Sequence, residues 1–438
     1  MVLTLVPGRS LGEFELGTLL WNVLTILRSS QNLFPNAQIC WDARESATSF
    51  IQLSISSPAI QLIFDGRTQR LVLIEAYNPI DQNFTNRMIP LGEWISYRNQ
   101  PISLSIGPND PGVTLRVIHR LFGPTYPPLP HVAHPEETLI SYPGVAFSFQ
   151  NQVLNRVILS VQPSEINEDE SESHQLAEAY YKPKMPQYLD CIDGDISCAA
   201  VRLGSRPDSI PTTVCFSFKS SSPSNPISDV NVVIGESTSE DIMCDFGAPL
   251  RTFWKEDDRM KIHAHLKSTG RPNGTVDEPN PYFMSYYNLG LDFLIDPISN
   301  VVIKIILHSN IPGEVLFARY SRCPWSICRP TATEAISSLE KCTSIIRYIK
   351  GEGSTHPRSS TSDQSHRTQK HSNHTPKSSG ETDSAPAATY VEPAMVLDRT
   401  ADVMDDGLTL QKPTRLIGFD GAVLEVTDND DIETLWLF

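Results

Sequence analysis

A short charged run, KEDDRMKIH at residues 255–263, has the residue types and spacing for binding chemistry. If the run is a strand, Arg259, Lys261 and His263 lie on one face, because side chains alternate across a strand. Two cations and an imidazole on one face suit a phosphate group or an acidic partner. The alternative is an ordinary solvated strand face, which any exposed strand presents.

The same run also offers metal ligands. His263 and His265 are two positions apart, so on a strand they point the same way, and Asp257 or Asp258 could add a carboxylate. An exposed strand with two polar residues explains the pattern more simply. We therefore predict no metal site, and we keep a metal-dependent hydrolase as the least favoured interpretation.

Other catalytic or metal-binding signatures are missing from the sequence. It contains no phosphate-binding loop of the G-x-x-x-x-G-K type, no G-x-S-x-G nucleophile elbow and no H-E-x-x-H helix. Its eight cysteines form no C-x-x-C pair, which favours reduced, mostly buried thiols over zinc ligands. The prediction is a protein without catalytic residues or cofactors.

Two further clusters could form contacts with a partner. Arg319, Arg322 and Arg329 form a loose basic group near Trp325. Four aromatic residues cluster before the third hairpin described below, and aromatic patches often anchor partners; they are Tyr282, Phe283, Tyr286 and Tyr287. On a strand half of these rings face inward, which favours core packing for Phe283 and at least one tyrosine.

Charge and hydropathy restrict the function classes. The formal net charge is −16, which disfavours binding to nucleic acid. No apolar stretch approaches the length needed to span a bilayer, and the N-terminus lacks the pattern of a signal peptide. We therefore expect a cytoplasmic protein.

Four β-hairpins are predicted along the chain. In each, two short apolar runs rich in β-branched and aromatic residues flank a polar turn. The paired runs are 60–65 with 71–76, 145–150 with 156–161, 291–296 with 301–308, and 422–426 with 432–438. A glycine stands immediately before three of them, at Gly144, Gly290 and Gly421.

A helix is predicted some distance before each hairpin, from apolar residues at helical spacing. The helices are expected over 18–28, 114–122, 237–246 and 334–350, with a capping box at Ser237 and Glu240 in the third. The predicted class is α+β, with tandem helix-plus-hairpin units that form small antiparallel meander sheets and carry their helices on one face.

The predicted domain organisation follows from composition. Residues 1–162 form an N-terminal α+β domain of two units, and residues 163–190 an acidic linker. Residues 191–350 form a second α+β domain, which residues 390–438 complete with C-terminal strands. Residues 351–389 are rich in Ser, Thr, His and Pro, so we expect a disordered insert.

Several motifs together resemble one known family. They are RSLG at 9–12, GVAFSFQ at 144–150, IGES at 234–237 with FGAP at 246–249, YNLGLD at 287–292, HSN at 308–310, PG at 312–313 and YSRC at 320–323. With the run at 255–263, this set resembles the phagophore assembly factor family over nearly the whole chain. The insert at 351–389 is the clearest departure, and neither Cys328 nor His265 matches the pattern.

The resemblance implies a non-enzymatic cytosolic scaffold that associates with a WD-repeat β-propeller protein. Both would be recruited to the phagophore assembly site, where autophagosomes form, with phosphoinositide contact made by the propeller. Membrane association of this chain would then be indirect. The resemblance brings no catalytic residues. Two alternatives stay open: an adaptor in Golgi and vesicle traffic, and direct phosphoinositide binding through Arg259, Lys261 and His263.

Overall fold

The computed structural model describes most of the chain. The described residues are 1–78, 91–102, 113–130, 136–161, 180, 182–183, 194–204, 210–220, 227–255, 280–329, 334–351, 395–397 and 413–438. Within them β-strands predominate and the helices are short. None of these helices has the length and apolar character required to cross a bilayer.

The first half of the molecule comprises thirteen strands and three helices. The strands are β1 (Leu3–Val6), β2 (Ser10–Leu11), β3 (Phe14–Glu15), β4 (Ala37–Cys40), β5 (Ile51–Ile55), β6 (Ile60–Phe64), β7 (Leu71–Tyr77), β8 (Ile95–Tyr97), β9 (Gln100–Pro101), β10 (Leu129–Pro130), β11 (Thr138–Tyr142), β12 (Val145–Gln150) and β13 (Val153–Ser160). The helices are α1 (Leu20–Ser29), α2 (Leu91–Trp94) and α3 (Leu115–Phe122).

The second half has thirteen strands and two helices. The strands are β14 (Ile196–Arg202), β15 (Thr213–Phe218), β16 (Val230–Val233), β17 (Arg251–Trp254), β18 (Tyr282–Tyr286), β19 (Leu291–Ile295), β20 (Val302–His308), β21 (Trp325–Ile327), β22 (Ile336–Ser337), β23 (Met395–Leu397), β24 (Thr414–Phe419), β25 (Ala422–Val426) and β26 (Ile432–Leu437). The helices are α4 (Ser239–Phe246) and α5 (Cys342–Lys350).

The two halves have the same topology. Each contains a five-stranded sheet, in the order β3-β2-β1-β8-β9 and β16-β15-β14-β21-β22. Each also contains an eight-stranded sheet, in the order β10-β11-β12-β13-β7-β6-β5-β4 and β17-β18-β19-β20-β26-β25-β24-β23. In both large sheets, two four-stranded meanders join through the last strand of each, β7 with β13 and β20 with β26. The chain is therefore a duplication of one two-sheet body.

The prediction of small antiparallel meander sheets is confirmed for most strand pairs, but two features differ. Pairing between meanders doubles each large sheet to eight strands. In each small sheet the central pair is parallel, β1 with β8 and β14 with β21. A parallel pair joins strands far apart in sequence, so the local patterns that reveal hairpins contain no sign of it.

The four pairs of runs read from the sequence lie side by side and antiparallel, as β6–β7, β12–β13, β19–β20 and β25–β26. The glycines before them have a distinct role. Gly144, Gly290 and Gly421 have φ of 81°, 74° and 73° and lie in the tight turn that brings in the preceding strand of each meander. Positive φ favours glycine there. Each hairpin is thus the second part of a meander.

A recurrent contact links three of the four hairpin turns to a helix. Gln69, Asn300 and Asp430 have positive φ at the end of three of the four hairpin turns. The carbonyl of each accepts a hydrogen bond from the first backbone N–H of a helix, at 2.8, 3.0 and 2.8 Å respectively. The turn thereby satisfies one of the N–H groups that a helix start leaves free.

Helix starts differ from prediction by one to eight residues. In α4 the capping box is Thr238 with Asp241 instead of Ser237 with Glu240. The largest change is in α5, which begins at Cys342, because residues 336–337 pair as β22 with β21. A strand of two residues is too short to show a sequence pattern of its own. Its apolar residue, Ile336, was therefore counted as part of the predicted helix.

Each half has its own hydrophobic core. The first core joins buried residues of both sheets with the buried side of α1, and the second joins both sheets with α4 and α5. Strands β24 to β26, which lie within the segment 390–438 predicted to complete the second domain, belong to the large sheet of the second half. The predicted linker and insert lie almost entirely outside the described residues.

Candidate functional site

The basic stripe predicted from the sequence lies outside the described residues. Arg259, Lys261 and His263 fall within 256–279, as do the two aspartates and His265 of the metal interpretation. They therefore stay predictions. Among the described residues, no group of three or more His, Cys, Asp or Glu side chains could hold a metal ion.

The second basic group is not a surface cluster. Arg319 is exposed, but Arg322 is buried. Arg329 donates to the carbonyl of Tyr348 at 2.9 Å, with its guanidinium carbon 5.5 Å from the centre of that ring. Trp325 is buried and donates to Ser309 Oγ. The three arginines therefore have separate structural settings.

Core packing is confirmed for one tyrosine of the four clustered aromatic residues, but the prediction of core packing for Phe283 is wrong, because that ring lies on the opposite face of the strand from Met284 and Tyr286. Tyr286 is buried in the second core, and burial raises its pKa to about 12. Phe283 and Tyr282 are half-buried and contact the rings of Phe253 and Trp254 in the neighbouring strand β17. Tyr287 contacts Tyr320 with ring centroids 4.9 Å apart. Of the four, Tyr282 and Phe283 border a surface.

The seam between the halves is formed by residues 309–324, here called the seam segment. Arg322 is its main anchor: Nη1 donates to the carbonyls of Ala47, Gly66 and Arg67 in the first half at 2.8, 2.5 and 3.0 Å. Its Nε donates to the carbonyl of Ser309 at 2.7 Å. Burial lowers the pKa of Arg322 to about 10, although Asp65 and Asp431 oppose this shift. A guanidinium surrounded by carbonyls fixes backbone geometry.

Further side-chain bonds cross the seam. Gln69 Nε2 donates to the carbonyl of Asn310, and Asn310 Nδ2 donates to Gln69 Oε1, both at 2.7 Å. Arg70 Nη2 forms an ion pair with Asp195 at 2.6 Å. Trp21 donates to the carbonyl of Arg319 at 3.0 Å. Polar contacts thus join the two halves, and of these further bonds the buried Gln69–Asn310 pair is the costliest to break.

A buried His–Asp–Tyr cluster lies where β20 enters the seam segment. His308 Nε2 lies 2.9 Å from Asp292 Oδ2, which also accepts from Tyr320 at 2.8 Å. The rings of His308 and Tyr320 stack with centroids 3.7 Å apart. Burial, and then the Asp292 charge, raise the pKa of Tyr320 well above its usual range. All three are nearly inaccessible, so this cluster holds the seam segment on the sheet.

An exposed apolar surface lies at the edge strand β17 and the residue before it. All four residues of β17 are exposed, and Trp254 has 57% of its surface accessible, with Leu250 at 56% and Phe253 at 37%. Within the described residues β17 pairs with one strand only, β18. An exposed edge strand with large apolar side chains is a typical site for strand addition.

Duplication gives Trp254 a counterpart in the first half. Strand β17 has the position in its sheet that β4 has in the first half. In β17, Phe253 lies opposite Phe283 and Trp254 lies opposite Tyr282. In β4, Cys40 lies opposite Gln52, and Trp41 directly follows Cys40. Trp41 is half-buried by the seam segment: its ring lies 6.1 Å from that of Phe317, and a Cβ on Gly313 would come within 3.0 Å of it. Trp254 has no such cover among the described residues.

The sequence contained a signal for this pair that motif reading missed. Trp41 and Trp254 each follow an amphipathic helix by 12 or 8 residues, within a unit that repeats. An alignment of the two halves of the sequence, instead of a comparison of the four hairpins, would have identified Trp41 and Trp254 as equivalent residues.

Comparisons with known proteins agree over most of the chain. The model of a family described as phagosome assembly factor 1 matches residues 10–438. The PHAF1 protein T01G9.2 of Caenorhabditis elegans is 27% identical over 335 residues, which cover 72% of this chain and 74% of the worm protein. The PHAF1 protein CG7083 of Drosophila melanogaster is 25% identical over 73% of each chain, and the PHAF1 protein At3g51130 of Arabidopsis thaliana is 24% identical over 78% of this chain and 79% of its own. No solved structure matches.

Proposed function

This chain belongs to the phagosome assembly factor 1 family, and we propose that it is a non-enzymatic scaffold subunit in phagosome assembly. In this proposal it binds a WD-repeat β-propeller protein and is recruited with that partner to the forming autophagosome. The observation that carries the proposal is the exposure of Trp254 at an edge strand, since a scaffold needs a surface that its partner covers.

The duplicated structure supports this choice of surface. The same edge in the first half, at Trp41, is covered by the seam segment from the second half. In the first half, the indole at this position therefore already contacts a segment from the other half of the molecule. At Trp254 the equivalent position is 57% exposed, and burial of a large aromatic ring is a frequent source of binding energy.

The chemistry of the edge indicates what the partner presents. A strand added to β17 would complete backbone hydrogen bonds along its outer side. The blades of a propeller are four-stranded sheets with short outer edges, so a blade can supply that strand. The guanidinium of Arg251 lies 5.9 Å from the centre of the Phe253 ring. We therefore expect acidic side chains around an apolar pocket on the partner.

Co-purification from cells tests the proposal. The change Trp254→Ser should reduce recovery of the propeller protein, by about tenfold or more if the indole is a binding hot spot. Because the ring is exposed, the thermal unfolding midpoint of the isolated variant should match that of the unchanged chain. Phe50→Ser is the matched control, since Phe50 is an aromatic residue of the first half that is 55% exposed.

Two outcomes would contradict the proposal. Equal recovery of the propeller protein with Trp254→Ser and with the unchanged chain would exclude this edge as the docking surface. Fluorescence microscopy of the full chain provides the second readout: accumulation at the Golgi without accumulation at forming autophagosomes would favour the vesicle-traffic alternative.

A further inference from the structure

A cavity of about 90 Å³ lies between the halves, beside the seam segment. The first half contributes Arg67 and Arg70 to its lining, and the second half contributes Lys219, Arg322 and Asp195. The volume is several times the roughly 10 to 15 Å³ that one ordered water molecule requires on the same measure. It accommodates a small tetrahedral anion but not a nucleotide.

The charges around this cavity are unbalanced. Four of its lining residues are cationic and one, Asp195, is a carboxylate, in a protein of net charge −16. Asp195 is already paired with Arg70 at 2.6 Å. Two more carboxylates, Asp65 and Asp431, lie near Arg322 and offset part of its charge. A positive excess is left on the side of Lys219 and Arg67.

Free donors accompany this excess. Among the described residues, the side chains of Lys219, which is half-buried, and of Arg67, which is exposed, make no hydrogen bond. Arg322 Nη2 is buried and also lacks a partner there. Burial, and then the Arg70 charge, lower the pKa of Lys219. A bound anion would relieve this repulsion, since an opposite charge favours the charged form of an amine.

We propose that this cavity binds a phosphate group, which joins the two halves through Arg67 on one side and Lys219 on the other. The terminal oxygens of a phosphate accept several charge-assisted hydrogen bonds at once, as the grouping of guanidinium and ammonium donors requires. Arg322, held by backbone carbonyls, supplies fixed positive charge behind the site. The bound group ties the halves together without a change in the course of the chain.

Isothermal titration calorimetry of the full chain with sodium phosphate tests the site, with sodium chloride at matched ionic strength as the blank. We expect one phosphate per chain and a higher thermal unfolding midpoint in phosphate, because a ligand that binds only the folded state stabilises it. Lys219→Met should weaken phosphate binding at least tenfold. Lys350→Met, which removes an exposed lysine at the end of α5, should leave the affinity unchanged.

A second titration, with glycerol 3-phosphate, identifies the source of the group. Tighter binding of the ester than of inorganic phosphate would show that the site takes the terminal group of a phosphate ester, and weaker binding would show that it takes the free ion. Absence of phosphate binding to the unchanged chain overturns the proposal, and so does equal affinity of Lys219→Met. Arg67→Met gives an independent variant in case Lys219→Met fails to fold.

Discussion

Replacement of Arg322 by methionine tests whether the seam makes one cooperative unit of the two halves. Methionine retains much of the buried volume but removes the donors to Ser309, Ala47, Gly66 and Arg67. Because three of these carbonyls belong to the first half, the loss affects the seam more than either core.

The size of the effect follows from the geometry. Three guanidinium protons serve the four carbonyls, and hydrogen bonds to a charged group contribute about 2 kcal/mol each, or about 6 kcal/mol together. Against this, the lowered pKa of Arg322, about 10 instead of 12.5, corresponds to a net cost of about 3 kcal/mol for burying the charged guanidinium, after the attraction of Asp65 and Asp431 is included. Carbonyls left without donors add a penalty of about 1 to 3 kcal/mol. We expect Arg322→Met to lower the free energy of unfolding by about 4 to 6 kcal/mol.

Urea denaturation followed by circular dichroism and by tryptophan fluorescence provides the assay. Two transitions in place of one would show that the halves unfold separately once the anchor is lost. Arg322→Lys should recover little, since an ammonium group cannot reproduce the guanidinium fork. Arg319→Met, at an exposed arginine of the same segment, should change stability by less than about 0.5 kcal/mol. A loss below about 1 kcal/mol in Arg322→Met, or full stability of Arg322→Lys, would refute the reasoning.

Three other expectations can be checked by denaturation. Gly290→Ala should destabilise the chain by about 2 kcal/mol more than Gly194→Ala. Both glycines have positive φ, but only at Gly290 would a Cβ collide with a backbone carbonyl of the seam segment. Equal losses of stability in the two variants would contradict this expectation. Asn310→Ala should cost about 1 to 3 kcal/mol and should couple to Gln69→Ala in a double-mutant cycle, and purely additive losses would argue against their mutual bonds. The free energy of unfolding should fall as pH rises from 10 to 12. Burial raises the pKa of Tyr286 to about 12 in the folded state, so over this range the folded state keeps a proton that the unfolded state has lost. Tyr286→Phe should make this fall less steep, and an unchanged slope would contradict the assignment.

The sequence predicted local pairing well and distant pairing poorly. Runs such as 291–296 and 301–308 carry their own turn, so their antiparallel contact follows from neighbouring residues. The glycine at Gly290 was visible as well, although its role in the preceding turn was not. Contacts between β1 and β8, or between the two meanders of one sheet, join segments tens of residues apart. Nothing in a local pattern specifies such partners.

The candidate sites divide in the same way. Arg322 was grouped with Arg319 and Arg329 as a possible partner contact. Its burial could not be predicted from the sequence, because the groups that it binds are backbone carbonyls of the first half. Backbone carbonyls have no residue type and leave no trace in a sequence. Trp254 was overlooked because a single indole in a strand has the same pattern whether it faces a core or a partner. Only the cover over Trp41 reveals the difference.

The relation between Trp41 and Trp254 has a consequence for self-association. When similar units associate head to tail, each new unit covers the binding surface of the one before it and leaves its own surface exposed, so further units can keep adding. The two fused halves satisfy one such junction internally and leave Trp254 at the vacant end. In the absence of the proposed partner, we therefore expect the chain to oligomerise as its concentration rises, and light scattering should show this tendency lost in Trp254→Ser. A propeller protein bound at Trp254 would cover this surface and so keep the chain from associating with further copies of itself.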